Sequence, residues 1–159
     1  MIGCFYDNCP RVISINVSAG GIPKCPVDSV YIHQGGLAGD GHNHEKHCRP
    51  LQAVSLQDAE QLDALKREGY PLFPGVTGEN LTVSGLNVNK LPLGTKLECA
   101  GGVIIELSKV RQPCYVLDVI SPRLKEDILG RCGCYARVLQ EGFLSKGAEI
   151  RVIIPSVCT

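Results

Sequence analysis

The chain of 159 residues predicts a mainly β fold, a closed or partly closed β-barrel with one or two short helices. Three observations carry that expectation. Short apolar runs recur between Gly- and Pro-rich breaks, and several alternate with period two. Only one segment carries a strong helical period. The elements also lack the repeating strand, helix, strand order of a doubly wound sheet.

The chain opens its regular structure with "RVISINVS" (11–18), a strand whose inward set is Val12, Ile15 and Val17 if the run is kinked. "VDSVYIH" (27–33) reads as a second strand after the turn cluster "GGIPKCP", and "LQAVSL" (51–56) as a third. Between the last two lies the loop "GGLAGDGHNHEKHCRP" (35–50). Leu56, Ala59, Leu62 and Leu65 then share one helical face, with Ser55 and Asp58 fitting a capping box and Gly69 and Pro71 ending the helix. "GVTGENLTVSGL" (75–86) reads as loop, short strand and turn. "LPLGTKLECAGGVIIELSKV" (91–110) gives a pair of strands joined at Gly101-Gly102, a dipeptide suited to a tight hairpin. "SPRLKEDILG" (121–130) predicts a short helix with Ser121 as cap and Pro122 at its first position. "CYARVL" (134–139) and "AEIRVIIP" (148–155) close the fold, with "QEGFLSKG" as the turn between them.

Composition bounds the function. Apolar residues at 44% and charged residues at 20% argue for a packed core rather than disorder, and the length suits one domain over 1–159. Sixteen basic residues balance sixteen acidic ones, so no overall positive field favours nucleic acid or an anionic membrane. No stretch approaches the roughly 18 apolar residues of a membrane span. "MIGCFYDNCP" has neither the basic start nor the apolar run of an export signal. Cys158 stands second from the end, so "PSVCT" is not a prenylation motif. Nine cysteines, an odd number, point to free thiols in a reducing, cytoplasmic setting.

The special residues gather in loops and strand ends, where function concentrates. The loop 35–50 holds His42, His44, His47 and Cys48, all capable ligands, which raises a zinc- or copper-binding module. Their spacing does not match the separated pairs of structural zinc sites, so a polar or anion-facing loop is the stronger expectation. Cys132-Gly133-Cys134 could bind metal or act as a redox couple. Its short spacing disfavours a disulfide within the pair, and ordinary packing is expected. "KVRQPCY" sets Lys109 and Arg111 shortly before Cys114, and nearby cations favour the reactive thiolate. Strand alternation would separate Arg111 from Cys114 unless the chain turns at Pro113. A buried core thiol is the alternative. For Glu79 and Asn80 the choice lies between a loop leading into a strand and residues that hold a neighbouring loop or meet a ligand.

Gly39-Asp40-Gly41-His42, Gly78-Glu79-Asn80-Leu81-Thr82, Leu91 to Gly94, Arg111-Gln112-Pro113-Cys114 and Val138 to Gly142 come in an order that resembles the MOSC family. That is the domain named for the C-terminal region of molybdenum-cofactor sulfurase, and the resemblance covers about residues 11 to 154. It implies a β-barrel of the pyruvate-kinase-barrel type, molybdenum cofactor (molybdopterin) as ligand, and independence from pyridoxal phosphate. Cys114 takes the role of molybdenum ligand or persulfide-carrying nucleophile, with Asp40, His42, His44, Arg49, Glu79, Asn80, Arg111 and Arg137 around the pterin. Arg131 would join Arg49, Arg111 and Arg137 in a basic pocket for the cofactor phosphate. Cys132 or Cys134 could resolve a persulfide on Cys114. Expected partners are a sulfur donor such as a cysteine desulfurase and a partner molybdoenzyme. A cofactor-dependent reductase of N-hydroxylated substrates is the alternative activity. The separate N-terminal barrel and the C-terminal extension of larger members have no counterpart in this sequence.

Overall fold

A computed structural model describes residues 9–41 and 50–156. Among these residues the fold has eleven strands and two short α-helices. An eight-stranded sheet contains β1 (Arg11–Val17), β2 (Cys25–Val27), β5 (Val54–Asp58), β6 (Leu81–Ser84), β7 (Lys96–Cys99), β8 (Ile104–Val110), β9 (Cys134–Gln140) and β11 (Ile150–Ile153). Its order is β11-β7-β8-β9-β5-β6-β1-β2. A three-stranded sheet orders β10 (Gly142–Ser145), β3 (Ser29–His33) and β4 (Gly36–Leu37) as β10-β3-β4. All pairs are antiparallel except β5 with β6.

The expected mainly β class and the short helices are present, but the sheets are open and form no closed barrel. Among the described residues β1 meets the stretch entering β11 through an isolated bridge, Arg11 to Glu149, and flanking backbone hydrogen bonds rather than a strand ladder. Residue pattern specifies which face of a strand is buried, whereas closure depends on tilt and stagger across all the strands.

The kink expected in β1 is a register shift between Val12 and Ser14, which buries both Val12 and Ile15. The run 27–33 divides at Asp28, where the chain leaves one sheet for the other. The capping box does not form. β5 continues to Asp58, whose backbone pairs in parallel with Val83, so Ser55 lies inside a strand. Helix α1 (Ala59–Arg67) starts after Asp58 without a side-chain cap bond and buries Leu62 and Leu65. Helix α2 (Leu124–Asp127) likewise starts later than the Ser121-Pro122 signal, with Arg123 at its cap. The expected turn 140–147 contains β10, which buries only Leu144.

The main core draws on both sheets, joining Ile15, Leu56 and Ile105 of the larger with Ile32 and Leu144 of the smaller in one cluster. A second cluster joins Leu62 and Leu65 of α1, Leu117, Leu124, Ile128 and Cys132. Among the described residues no helix is long and apolar enough to cross a membrane.

Candidate functional site

Five chain segments meet at a cleft of about 580 Å³. They are the turn after β1 (Ser18 to Lys24), Gly41, Thr77-Gly78 before β6, Arg111 to Val119 after β8, and Cys132 with Tyr135 at the start of β9. Close backbone packing shapes this end of the fold. A Cβ at Gly41 would lie 1.9 Å from the Ala19 carbonyl oxygen, and one at Gly133 would lie 1.8 Å from that of Leu56. Gly133 also has φ +85°, a conformation that side chains resist.

Cys114 is exposed and lines the cleft. β8 ends at Val110, so strand alternation no longer separates Arg111 from Cys114, and both line the same cleft. The Cys114 carbonyl accepts the Leu117 N–H at 3.0 Å, starting a 3-10 turn over Tyr115–Val119. Tyr115 and Val119 on that turn expose 74% and 84% of their surface, giving the cleft an apolar rim.

Arg111 is fixed from several sides. Its Nη1 donates to the Cys132 carbonyl at 3.1 Å and its Nη2 to the Thr77 carbonyl at 3.0 Å. Its backbone N–H donates to the Gly133 carbonyl at 3.0 Å, and the guanidinium stands 5.9 Å from the Tyr135 ring centroid. Lys109 is exposed and does not line the cleft.

A smaller hollow of about 230 Å³ adjoins the cleft and shares Lys24, Gly41, Gly78, Arg111 and Tyr135 with it. Here Asp40 is committed to a buried network. Its carboxylate accepts Lys24 Nζ at 2.8 and 3.0 Å, the Ser18 N–H at 3.0 Å and Asn80 Nδ2 at 3.0 Å. Asn80 Oδ1 in turn accepts the Ser55 N–H and hydroxyl, each at 3.1 Å. Glu79 is fully buried and accepts from the Gly75 N–H and the Thr77 and Thr82 hydroxyls. Asp40, Glu79 and Asn80 therefore hold the loops around the cleft, since their polar atoms are satisfied within the protein.

The expected basic pocket is only partly assembled. Arg137 faces solvent on β9 and pairs with Glu106 at 2.8 Å, apart from the cleft. Arg131 pairs with Glu68 at 2.7 Å and also stands apart. His42, His44 and Arg49, with His47 and Cys48, lie outside the described residues. Among the described residues no three His, Cys, Asp or Glu side chains cluster as a metal cage. The cation that sequence reasoning missed is Lys24, which lines both hollows with its side chain 16% exposed. Its signal was its isolation as the single Lys or Arg between residues 12 and 45, within a Gly- and Pro-rich turn.

The cysteines of the 132–134 pair separate. Cys132 lines the cleft from the second cluster, and burial pushes its thiol pKa up against the lowering effect of Arg111. Cys134 sits in the main core, where burial pushes its thiol to about 11.

The model of the MOSC domain matches residues 40–151. The chain belongs to the MOSC domain family. That matched span includes Asp40, Glu79, Asn80, Arg111 and Cys114. This MOSC domain is 34% identical over 143 residues to the uncharacterized protein YflK of Bacillus subtilis (strain 168), covering 84% of this chain and 63% of that protein. It is 30% identical over 132 residues to a reductase of Gibberella moniliformis (strain M3125 / FGSC 7600), covering 78% of this chain and 24% of the relative. The chain thus spans less than two thirds of the length of both relatives. Among solved structures, YiiM from Geobacillus stearothermophilus matches with a TM-score of 0.74 and 29% identity, over 91% of this chain and 75% of that one. The YUAD protein from Bacillus subtilis shares the fold at TM-score 0.76 and 20% identity, over 91% and 95% of the two chains.

Proposed function

We propose that the cleft binds molybdenum cofactor or carries sulfur for it, with Cys114 as the metal ligand or the sulfur-accepting nucleophile. The carrying observation is an exposed Cys114 in a cleft beside an immobilised Arg111. The residues present fit the group. A thiol can serve as a soft metal ligand, and Arg111 supplies positive charge for a phosphate. Bound there, the cofactor would supply two-electron redox chemistry at its metal.

The protein's own part is to bind and orient. Arg111 holds its charge at the cleft through two carbonyl bonds, while the Lys24–Asp40 pair fixes the opposite loop. Tyr115, Val116 and Val119 form an apolar wall that sheds water from one side of a bound ring. In sulfur transfer, Cys114 would attack the outer sulfur of a donor persulfide, such as that of a cysteine desulfurase, and release the donor thiol. A partner molybdoenzyme would be the recipient. The second reading is a cofactor-dependent reductase of N-hydroxylated substrates, favoured by the match to a protein named a reductase.

Purification without a metal-affinity tag, followed by molybdenum, pterin and sulfane-sulfur analysis, tests the proposal. Sulfane sulfur is measured after incubation with a cysteine desulfurase and cysteine. Wild type is expected to acquire cofactor or sulfur, and Cys114→Ser to lose that loading while melting within a few degrees of wild type. Equal loading of the two proteins overturns the role of Cys114, and no loading of either kind overturns the proposal.

A further inference from the structure

Two thiols line the cleft, and the chain ties them together from both sides. Three residues before Cys114, Arg111 is bonded through its backbone to the Gly133 carbonyl and through its side chain to the Cys132 carbonyl. Three residues after it, the Leu117 N–H donates to the Cys114 carbonyl, and Leu117 packs in the same buried cluster as Cys132. The short stretch carrying Cys114 is thus anchored at each end beside Cys132, while residues 111–114 themselves have no regular secondary structure. The other described cysteines are placed differently. Cys99 and Cys134 lie in the main core, the Cys134 thiol facing the Val88 carbonyl at 3.5 Å, and neither Cys9 nor Cys25 lines the cleft.

Exposure divides the work between the pair. Cys114 is open to solvent and can meet a reagent, whereas Cys132 is only 2% exposed and can be reached chiefly from within the cleft. That is the arrangement of an attacking and a resolving thiol.

We propose that Cys114 and Cys132 form a redox-active dithiol site that takes small-molecule disulfides as co-substrate. In the first step the Cys114 thiolate attacks one sulfur of the disulfide. A mixed disulfide forms on Cys114 and one small thiol leaves, taking up the proton. In the second step the Cys132 thiolate attacks the Cys114 sulfur, and the bond to the small molecule breaks. The second small thiol leaves with the proton that Cys132 gave up. Both cysteines are oxidised to one disulfide, and the small disulfide is reduced to its two thiols. The site shares Cys114 with the proposed cofactor or sulfur role, so it works while that thiol carries neither metal nor sulfane sulfur.

The probe is glutathione disulfide, applied to the folded full chain and followed by acid quench and non-reducing peptide mapping. The expected product is a Cys114–Cys132 cross-link with little lasting glutathione on Cys114. Cys132→Ala should instead accumulate glutathione at Cys114, and Cys134→Ala should still form the cross-link. If Cys132→Ala does not fold, the wild-type map decides alone. A wild-type protein that keeps glutathione on Cys114, cross-links other cysteines, or remains unmodified at Cys114 overturns the proposal. Loading assays on the same samples separate this failure from that of the cofactor or sulfur role.

Discussion

Asp58 is 1% exposed, and its carboxylate accepts the Val88 N–H at 3.0 and 3.2 Å. Burial pushes its pKa from 3.8 to about 6, Glu60 adding to the rise and the Val88 hydrogen bond opposing it. The folded state therefore holds the proton more tightly than the unfolded chain. The resulting stabilisation is full below about pH 4 and is lost as pH rises through about 6. A shift of this size corresponds to on the order of 3 kcal/mol. Asp58→Asn retains an acceptor for Val88 and removes the charge, so its melting temperature should exceed wild type at pH 8. The advantage should vanish by pH 4. Melting curves across that range check this, and an equal offset at both ends would refute it. Other side chains show what could be read in advance. A local motif singled out Cys114, which lines the cleft. The partners of Asp40 and Asn80 were not legible, because Ser18, Lys24 and Ser55 come from distant strands and turns. Arg137 was misplaced despite a local signal, since Ala136 and Val138 are buried and alternation sends the residue between them outward.

Strand β11 pairs with β7 from Ile150↔Cys99 to Ile153↔Lys96. On the approach to it the Val12 N–H donates to the Ala148 carbonyl at 2.9 Å and the Gly147 N–H to the Val12 carbonyl at 2.8 Å, tying this segment to β1. Removing residues 148–159 would bare the edge of β7 and expose the apolar surface around Leu97 and Val12. The truncated protein is expected to be insoluble or to melt without cooperativity, and a native-like cooperative transition by circular dichroism would contradict that. The pairing of β11 was expected from the sequence; β10 was not. Four residues with one buried apolar side chain, beginning at a glycine, look like a turn until β3 supplies the backbone partners. The capping signal at Ser55 failed for a related reason: parallel pairing with β6 holds that stretch extended.

Two unequal cores divide the molecule, with twenty-two buried residues in the main cluster and eight in the second among those described. Amides of α2 and the 115–119 turn should exchange with deuterium at least about tenfold faster than those of β5, β8 and β9. Uniform protection would mean that the smaller cluster opens only with the whole fold. Mostly β character was legible because burial leaves a local period in each strand, whereas openness of the sheet is set by geometry summed over all of them. The cleft lies against the smaller core, with Leu117 and Cys132 in both. Arg111 spans it from the Thr77 carbonyl to the Cys132 carbonyl. An incoming anion thus finds a guanidinium whose rotamers were frozen when the chain folded, so that ordering cost is absent from its binding free energy. The same tether couples occupancy to local opening: whatever seats against Arg111 also holds the 77 and 132 segments closed, and a tight ligand would slow the fraying of the weaker half of the protein.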